Sequence, residues 1–313
     1  MLFVIFNLSC RKICAPVTTL ADIATPKPTG AENHMNAHDT SIDLTAYFAR
    51  IGFSGPAHPP PTLDTLRALH LLHPQAIPFE NLDVLLGRPV KLDLASVQLK
   101  LVTGRRGGYC YEHNLLLRSV LQTLGFRVRS FAGRVLWGRD APGMPARTHM
   151  LLLVDLDEGT YLADVGFGGM VLSAPLALET GLEQITPHGA FRLEDAGGEP
   201  RSFVLQAYVD GGWAPVYRFD LDPQYDADYE MANHFVSTYP QSVFVHNLLA
   251  ARLAPGVRYG LFNRRLHVHH THEEHAGSEQ RDLASVAELR RVLETEIGIR
   301  LPDDLDAALS RLP

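Results

Sequence analysis

The sequence predicts an α+β fold laid out in three parts, and three observations predict it. Up to Gly125, apolar residues recur at helical spacing. Between Gly125 and Pro223 the period shortens to that of strands, with turn residues at close intervals. Beyond Pro223 helical and strand patterns alternate again. That last piece is too short to bury a core of its own, so it is expected to pack on the other two.

The chain has 313 residues, 46% hydrophobic and 20% charged, which supplies ample apolar material for a globular core. The length predicts two or three domains. A formal net charge of -7 without any basic block points away from nucleic acid. No apolar run of about 18 residues predicts a membrane span. The cysteines are Cys10, Cys14 and Cys110. Such sparse, odd-numbered usage fits a reducing compartment such as the cytoplasm better than a disulfide scaffold.

Residues 1–38 read as a disordered N-terminal extension. Their first eight residues are apolar, but Arg11 and Lys12 follow rather than precede them, the wrong order for a signal peptide. Residues 25–30 are linker-like, and Met35 offers an alternative start just before the first convincing helix. Either way Cys110 is left as the one cysteine of the functional argument.

Asp43 is placed to cap a helix with Leu44, Tyr47, Phe48 and Ile51 on one face, closed by Gly52. Pro59-Pro60-Pro61 is a rigid break. Thr62 caps a second helix holding Leu63, Leu66 and Leu69, with Pro74 as its expected end. Residues 77–83 are too irregular for a long element and too apolar for a solvated loop. Residues 94–101 read as a short helix leading into a glycine turn. Strands are expected at 126–137, 148–155, 161–165, 190–193, 202–208 and 213–219, as a small antiparallel barrel or sandwich. A helix is expected at 226–234. Residues 242–251 are apolar but ambiguous, 257–269 read as a hairpin, and Ser285 caps a last helix.

The chemistry gathers at Arg105-Arg106-Gly107-Gly108-Tyr109-Cys110-Tyr111-Glu112-His113-Asn114. Cys110 sits where the glycine turn gives way to an apolar-periodic run, Leu115, Leu116, Val120 and Leu124, that Gly125 can end. A thiol at a helix N-terminus has its thiolate, the nucleophilic form, favoured by the helix dipole. A buried structural cysteine is the plainer alternative. A nucleophile needs a base, and the base an orienter. Pairing of 148–155 with 161–165 about Asp157-Glu158-Gly159 brings His149 and Asp164 to neighbouring cross-strand positions. A carboxylate beside an imidazole fixes its tautomer and favours its charged form. A hydrogen-bonded core histidine and a turn aspartate remain the alternatives. One Cys, one His and one Asp at these spacings match no usual zinc signature.

Arg-Gly-Gly-Tyr-Cys (106–110), Thr-His (148–149) and Asp-Val-Gly-Phe-Gly (164–168), in this order, resemble the arylamine N-acetyltransferases. Two further segments extend the resemblance: Pro78-Phe79-Glu80-Asn81-Leu82, and residues 233–244 with Ser237-Thr238, Pro240, Ser242 and Phe244. Arg258-Tyr259 and Asn263 follow at the family's usual place. The resemblance runs from about Ser41 to the C-terminus.

The resemblance implies three domains: a helical bundle at 39–125 with the nucleophilic Cys, an antiparallel β-barrel at 126–225, and an interdomain helix with an α/β lid at 226–313. Together they would carry a cysteine-protease-like Cys-His-Asp core. It implies Cys110 as nucleophile, His149 as base and Asp164 as orienter. It also implies acetyl-CoA as co-substrate, a small-molecule arylamine or hydrazine as acceptor, a ping-pong course and a role in xenobiotic metabolism. Phe79, Val135 and Phe167 would line the acceptor pocket; Thr148, Gly166, Gly168 and Trp137 would meet the cofactor. No metal is expected.

Two other features invite a role. His267, His269, His270, His272 and His275 form a run with Glu273 and Glu274. It reads as a metal site or as a polar hairpin, and Gly277-Ser278-Glu279 favours the hairpin. Arg105 and Arg106 read as phosphate ligands or, more simply, as ion-pair partners of acidic residues in the helical part. His113 can reach the Cys110 face of its helix, but only His149 has an orienter nearby. Rival classes are a Cys-His-Asp hydrolase or transglutaminase-like enzyme, an amide synthase of the same family acting in natural-product assembly, and a non-catalytic binding module. The last is disfavoured because all three chemical residues are present.

Overall fold

The computed structural model describes residues 41–139, 142–271 and 277–313. The expected extension at 1–38, and the part of the histidine run at 272–276, lie outside the described residues. Helix α1 (Leu44–Ile51) starts at Asp43, whose side chain accepts the Ala46 N–H, and stops at Gly52 with φ 72°. Thr62 caps α2 (Leu63–Ala76). This helix runs two residues past Pro74, where the sequence predicted its end. The Ile77 N–H still reaches the His73 carbonyl at 2.8 Å, so the last turn closes around the proline.

Two short elements follow where the sequence offered only an irregular stretch: β1 (Phe79–Glu80) and α3 (Leu82–Leu85). Helix α4 (Leu94–Gln98) runs on as a π-helical turn, Leu99–Thr103. Helix α5 (Cys110–Thr123) begins at the cysteine. It ends as Gly125 predicts: at φ 88° its N–H bonds the Gln122 carbonyl, while the Phe126 N–H bonds that of Leu121.

Strands β2 (Arg127–Val135), β3 (His149–Leu156), β4 (Gly159–Ala163), β5 (Leu176–Ala177), β6 (Gln184–Thr186), β7 (Gly189–Gly197), β8 (Ser202–Val209) and β9 (Gly212–Asp220) form one sheet. Their order is β5-β4-β3-β2-β9-β8-β7-β6 and every pairing is antiparallel. The two edges meet through a side chain. Gln184 on β6 accepts the Ala177 N–H at 2.7 Å and donates to the Ala177 carbonyl at 3.0 Å. The sheet is thereby a nearly closed barrel rather than a sandwich.

Strand β3 is the hinge between two cores. Leu151 and Leu153 join the barrel interior with Phe131, Phe203 and Phe219, whereas Met150, Leu152 and Val154 pack with α5. Burial on both faces is why its sequence is an unbroken apolar run. Strand β4 stops at Ala163, so Asp164 stands just past the strand rather than on it. The reason is local: the Asp164 N–H bonds His70 and the Val165 N–H bonds Asn114, and neither continues the β3 ladder.

The rest comprises α6 (Asp226–Thr238), α7 (Val243–His246), β10 (Leu249–Ala254), β11 (Val257–Phe262), β12 (Arg265–His270), β13 (Gly277–Asp282), α8 (Val286–Thr295) and α9 (Asp306–Leu309). The ambiguous 242–251 stretch divides into α7 and β10, and the expected hairpin gains a third strand in β13. The second sheet runs β1-β10-β11-β12-β13. It borrows β1 from the first part of the chain, and its core of Leu248, Leu261, Leu289 and Leu293 borrows Leu82. A segment too short to bury its own core completes one with residues far away in sequence. No helix among the described residues is long and apolar enough to cross a membrane.

Candidate functional site

Three elements converge on one point. Cys110 opens α5, His149 opens β3, and Asp164 follows the end of β4. Cys110 is buried, with Sγ 3.8 Å from the Thr148 carbonyl oxygen. His149 Nε2 lies 2.6 Å from Asp164 Oδ2, and both residues are buried. The pair does not face directly across the ladder. The register sets Leu152 against Ala163, so His149 and Asp164 meet on a diagonal of the same face. With Nε2 committed to Asp164, Nδ1 is the nitrogen left for Cys110, which stands within hydrogen-bonding reach of the ring.

The electrostatics favour a charged pair. Burial pushes His149 down, but the Asp164 charge and hydrogen bond and the neighbouring Cys110 outweigh it, raising His149 to about 10. Burial likewise pushes Asp164 up, and His149, Asn114 and the Gly166 N–H together bring it below the usual carboxylate range. Asn114 is a residue the sequence reading passed over. Its Nδ2 donates to Asp164 Oδ1 at 2.9 Å and to the Met150 carbonyl at 2.7 Å. The signal was present, since Asn114 stands four residues after Cys110 and so shares its helix face.

The glycines before Cys110 serve the chain's own backbone. A Cβ on Gly107 would lie 2.0 Å from the Pro78 carbonyl oxygen, and one on Gly108 would lie 2.5 Å from Glu112 Oε2. The Glu80 N–H bonds the Gly108 carbonyl at 2.8 Å, stitching β1 to the turn. Behind the turn runs a partly buried ion network: Arg106 with Glu80 and Asp83, and Lys100 with Asp83 and Glu112. Arg106 is thus an ion-pair residue, the simpler of the two readings. Glu112 also accepts the Tyr109 N–H at 3.0 Å, so it caps the cysteine helix. His113 does not turn to Cys110. It bonds His73 at 3.0 Å and the Gly108 carbonyl at 3.1 Å.

The approach of Gly107 carries an expected outcome. Gly107→Ala drives a methyl group into a carbonyl oxygen and is expected to cost about 2–3 kcal/mol of stability, read as a fall in Tm. At Gly212 an added Cβ meets nothing within 4 Å, and Gly212→Ala is expected to stay within about 0.5 kcal/mol. Equal losses for the two variants would contradict the packing described.

The other expected site residues fall close by. The Phe167 ring stands edge-on to His149 at 5.0 Å and tilted against Tyr217 at 5.3 Å. Phe79 stacks on His113 at 6.4 Å, beside Gly168, where an added Cβ would touch its ring at 3.3 Å. Val135 ends β2, paired with Tyr217, and Trp137 lies exposed just beyond. At Gly166 an added Cβ would sit 2.8 Å from the Cys110 Cα, so the backbone there packs directly on the cysteine helix. The Thr148 carbonyl accepts the Tyr111 hydroxyl at 2.9 Å. Beside Thr148 opens a groove of about 320 Å³ lined by Arg147, Met231 and Phe235.

The histidine run is part of a polar hairpin where it is described. His269 Nδ1 pairs with Ser278 Oγ at 2.7 Å, and His270 faces Glu279 at 3.7 Å. No group of three or more His, Cys, Asp or Glu among the described residues is arranged to hold a metal ion.

A buried cysteine at a helix start, beside an imidazole held by a carboxylate, can perform acyl transfer through a thioester. Comparison with known proteins agrees with acyl transfer. The N-acetyltransferase family model matches residues 62–305. The arylamine N-acetyltransferase of Escherichia coli (strain K12) is 48% identical over 262 residues, covering 83% of this chain and 90% of that protein. That of Mycobacterium bovis (strain ATCC BAA-935 / AF2122/97) is 45% identical over 269 residues, covering 84% and 91%. The structure of Mycobacterium marinum arylamine N-acetyltransferase in complex with CoA matches with a TM-score of 0.80 at 42% identity, covering 86% of this chain and 99% of that one. The arylamine N-acetyltransferase from M. tuberculosis matches with a TM-score of 0.79 at 43% identity, covering 85% and 99%. Sequence and fold thus agree over most of the chain, which belongs to the arylamine N-acetyltransferase family of acyltransferases.

Proposed function

We propose that this enzyme transfers the acetyl group of acetyl-CoA to the amino nitrogen of an arylamine or arylhydrazine, by a ping-pong course through acetyl-Cys110. The observation that carries the reading is the His149–Asp164 contact of 2.6 Å beside a cysteine at a helix start. The imidazolium favoured by Asp164 stands next to Cys110 and stabilises its thiolate. The thiolate attacks the thioester carbonyl of acetyl-CoA. The tetrahedral intermediate collapses, the C–S bond to CoA breaks, and His149 gives its proton to the departing CoA sulfur. The amine then attacks acetyl-Cys110, and the now neutral His149 takes the amine proton as the cysteine leaves as thiolate. The starting state is restored.

The groove beside Thr148 is assigned to the pantetheine arm, because Thr148 both lines it and has its carbonyl 3.8 Å from the Cys110 sulfur; Trp137, Gly166 and Gly168 are assigned to the same donor side on the family resemblance. Phe167, Phe79 and Val135 offer apolar and aromatic walls for a flat aryl ring. Such a reaction fits xenobiotic metabolism in the cytoplasm, where acetyl-CoA is at hand and the thiol stays reduced.

The test is intact-protein mass spectrometry after brief incubation with acetyl-CoA and no amine. A gain of one acetyl group, mapped to the Cys110 peptide and discharged by an arylamine, is expected. A folded protein that takes up no acetyl group, or carries it elsewhere, would overturn the reading.

A further inference from the structure

The Asp164 main-chain N–H has no strand partner, because the β3–β4 ladder ends with Leu152 and Ala163. A buried N–H requires an acceptor, and it finds one in His70 Nε2 on α2, at 3.1 Å. His70 is completely buried. An N–H can only donate, so Nε2 must carry no proton and the ring is neutral with its hydrogen on Nδ1. That Nδ1 has no hydrogen-bond partner among the described residues. The imidazole is therefore tolerated in the core for the sake of its other nitrogen.

We infer that His70 is a positioning residue for the proposed triad: its neutral ring anchors the Asp164 backbone and so aims the carboxylate at His149. The geometry of the carboxylate supports this. One oxygen meets His149, while the other is held by Asn114 and by the Gly166 N–H at 3.0 Å. The side chain and the two amides that follow it are thus oriented, and the Asp164 N–H is the last group to be held.

The second consequence concerns which ring takes the proton. The charged and titratable groups around His70 are Asp164 across the interface and His73 one turn along α2, with His113 of α5 behind His73. Burial holds His70 near 4 against the pull of Asp164, and holds His73 and His113 low as well. A ring that must accept at Nε2 cannot also take the proton there. The negative charge of Asp164 is left to His149.

The inference rests on the proposed acetyl-cysteine chemistry, and its test separates the two. His70→Gln places an oxygen acceptor near the Nε2 position, His70→Asn places one near Nδ1, and His70→Leu supplies none. Two readouts are compared at equal folded fraction: the rate of acetyl-enzyme formation, and the His149 titration followed by NMR of labelled imidazole. His70→Leu and His70→Asn are expected to acetylate roughly tenfold more slowly or worse, with His149 losing its proton at lower pH, while His70→Gln restores both toward wild type. If His70→Leu does not fold, the Gln and Asn pair decides alone. Unchanged titration in His70→Asn, or equal losses in Gln and Asn, would overturn the positioning role. A wild-type protein that forms no acetyl-enzyme would overturn the catalytic reading instead, and the titration would still report on His70.

Discussion

Replacing Cys110 with alanine is expected to abolish acetyl-enzyme formation and to lower acetyl transfer by at least about 10⁴-fold, since the covalent route is lost entirely. The fold is expected to survive. Cys110 is 7% exposed, small, and at the first position of its helix. Its sulfur lies 3.8 Å from the Thr148 carbonyl, a long contact. The helix start is held by other groups, namely Glu112 on the Tyr109 N–H and the two close-packed glycines. Activity and Tm should therefore part company. Assays with an arylamine acceptor, alongside thermal melts, read both. Retention of more than about 1% of wild-type turnover in a well-folded Cys110→Ala variant would mean that the amine attacks acetyl-CoA directly and that the cysteine is structural.

Replacing Asp164 with asparagine is expected to lower turnover by roughly 10³–10⁴-fold, the scale on which orienting carboxylates act in other triads. The cause differs from loss of a nucleophile. Without the carboxylate, burial disfavours the charged form of His149 with only Cys110 left to oppose it, so the imidazolium that stabilises the Cys110 thiolate is expected to be lost. The stability consequence has a definite sign. His149 is raised in the folded protein from its ordinary 6.5 to about 10. Its pairing therefore stabilises fully below about pH 6.5, and that contribution is lost as pH rises through about 10. Asp164 is lowered in the folded protein, so its contribution is present above its ordinary 3.8 and is lost as pH falls below that. Wild type should exceed Asp164→Asn in Tm by most near pH 5–6, with the gap closing toward pH 10. A gap that widened steadily from pH 6 to pH 10 would contradict the charged pair.

The elements that the sequence predicts correctly share a property: their determinants are local. Asp43, Thr62 and Ser285 each accept the backbone N–H that capping requires, and Gly52 and Gly125 take the left-handed turn at helix ends. The Cys110 turn and the strand of His149 lie within short segments whose order is itself a signature. Such features need only neighbours within a few residues, and a linear chain displays those. The misread elements depend on distant partners. Strand β1 exists because Phe79 and Glu80 pair with Ala251 and Ala250. Strand β4 ends early because His70 and Asn114 take the next two amides.

The same division applies to the site. The sequence by itself pointed to Cys110, His149 and Asp164 as candidates and to the helix start at Cys110 that the structure shows. It also placed a glycine turn before Cys110, although not what presses against it. Only the tertiary structure decided that Pro78 and Glu112 occupy that space, that Gln184 closes the barrel, and that Leu82 and β1 complete a sheet formed far later in the chain. It also shows how four buried imidazoles, those of His70, His73, His113 and His149, differ: His149 meets the Asp164 carboxylate, while His70 accepts the Asp164 N–H. What distinguishes them is whether each nitrogen faces a donor or an acceptor, and that is set by packing between segments that meet only in the folded protein.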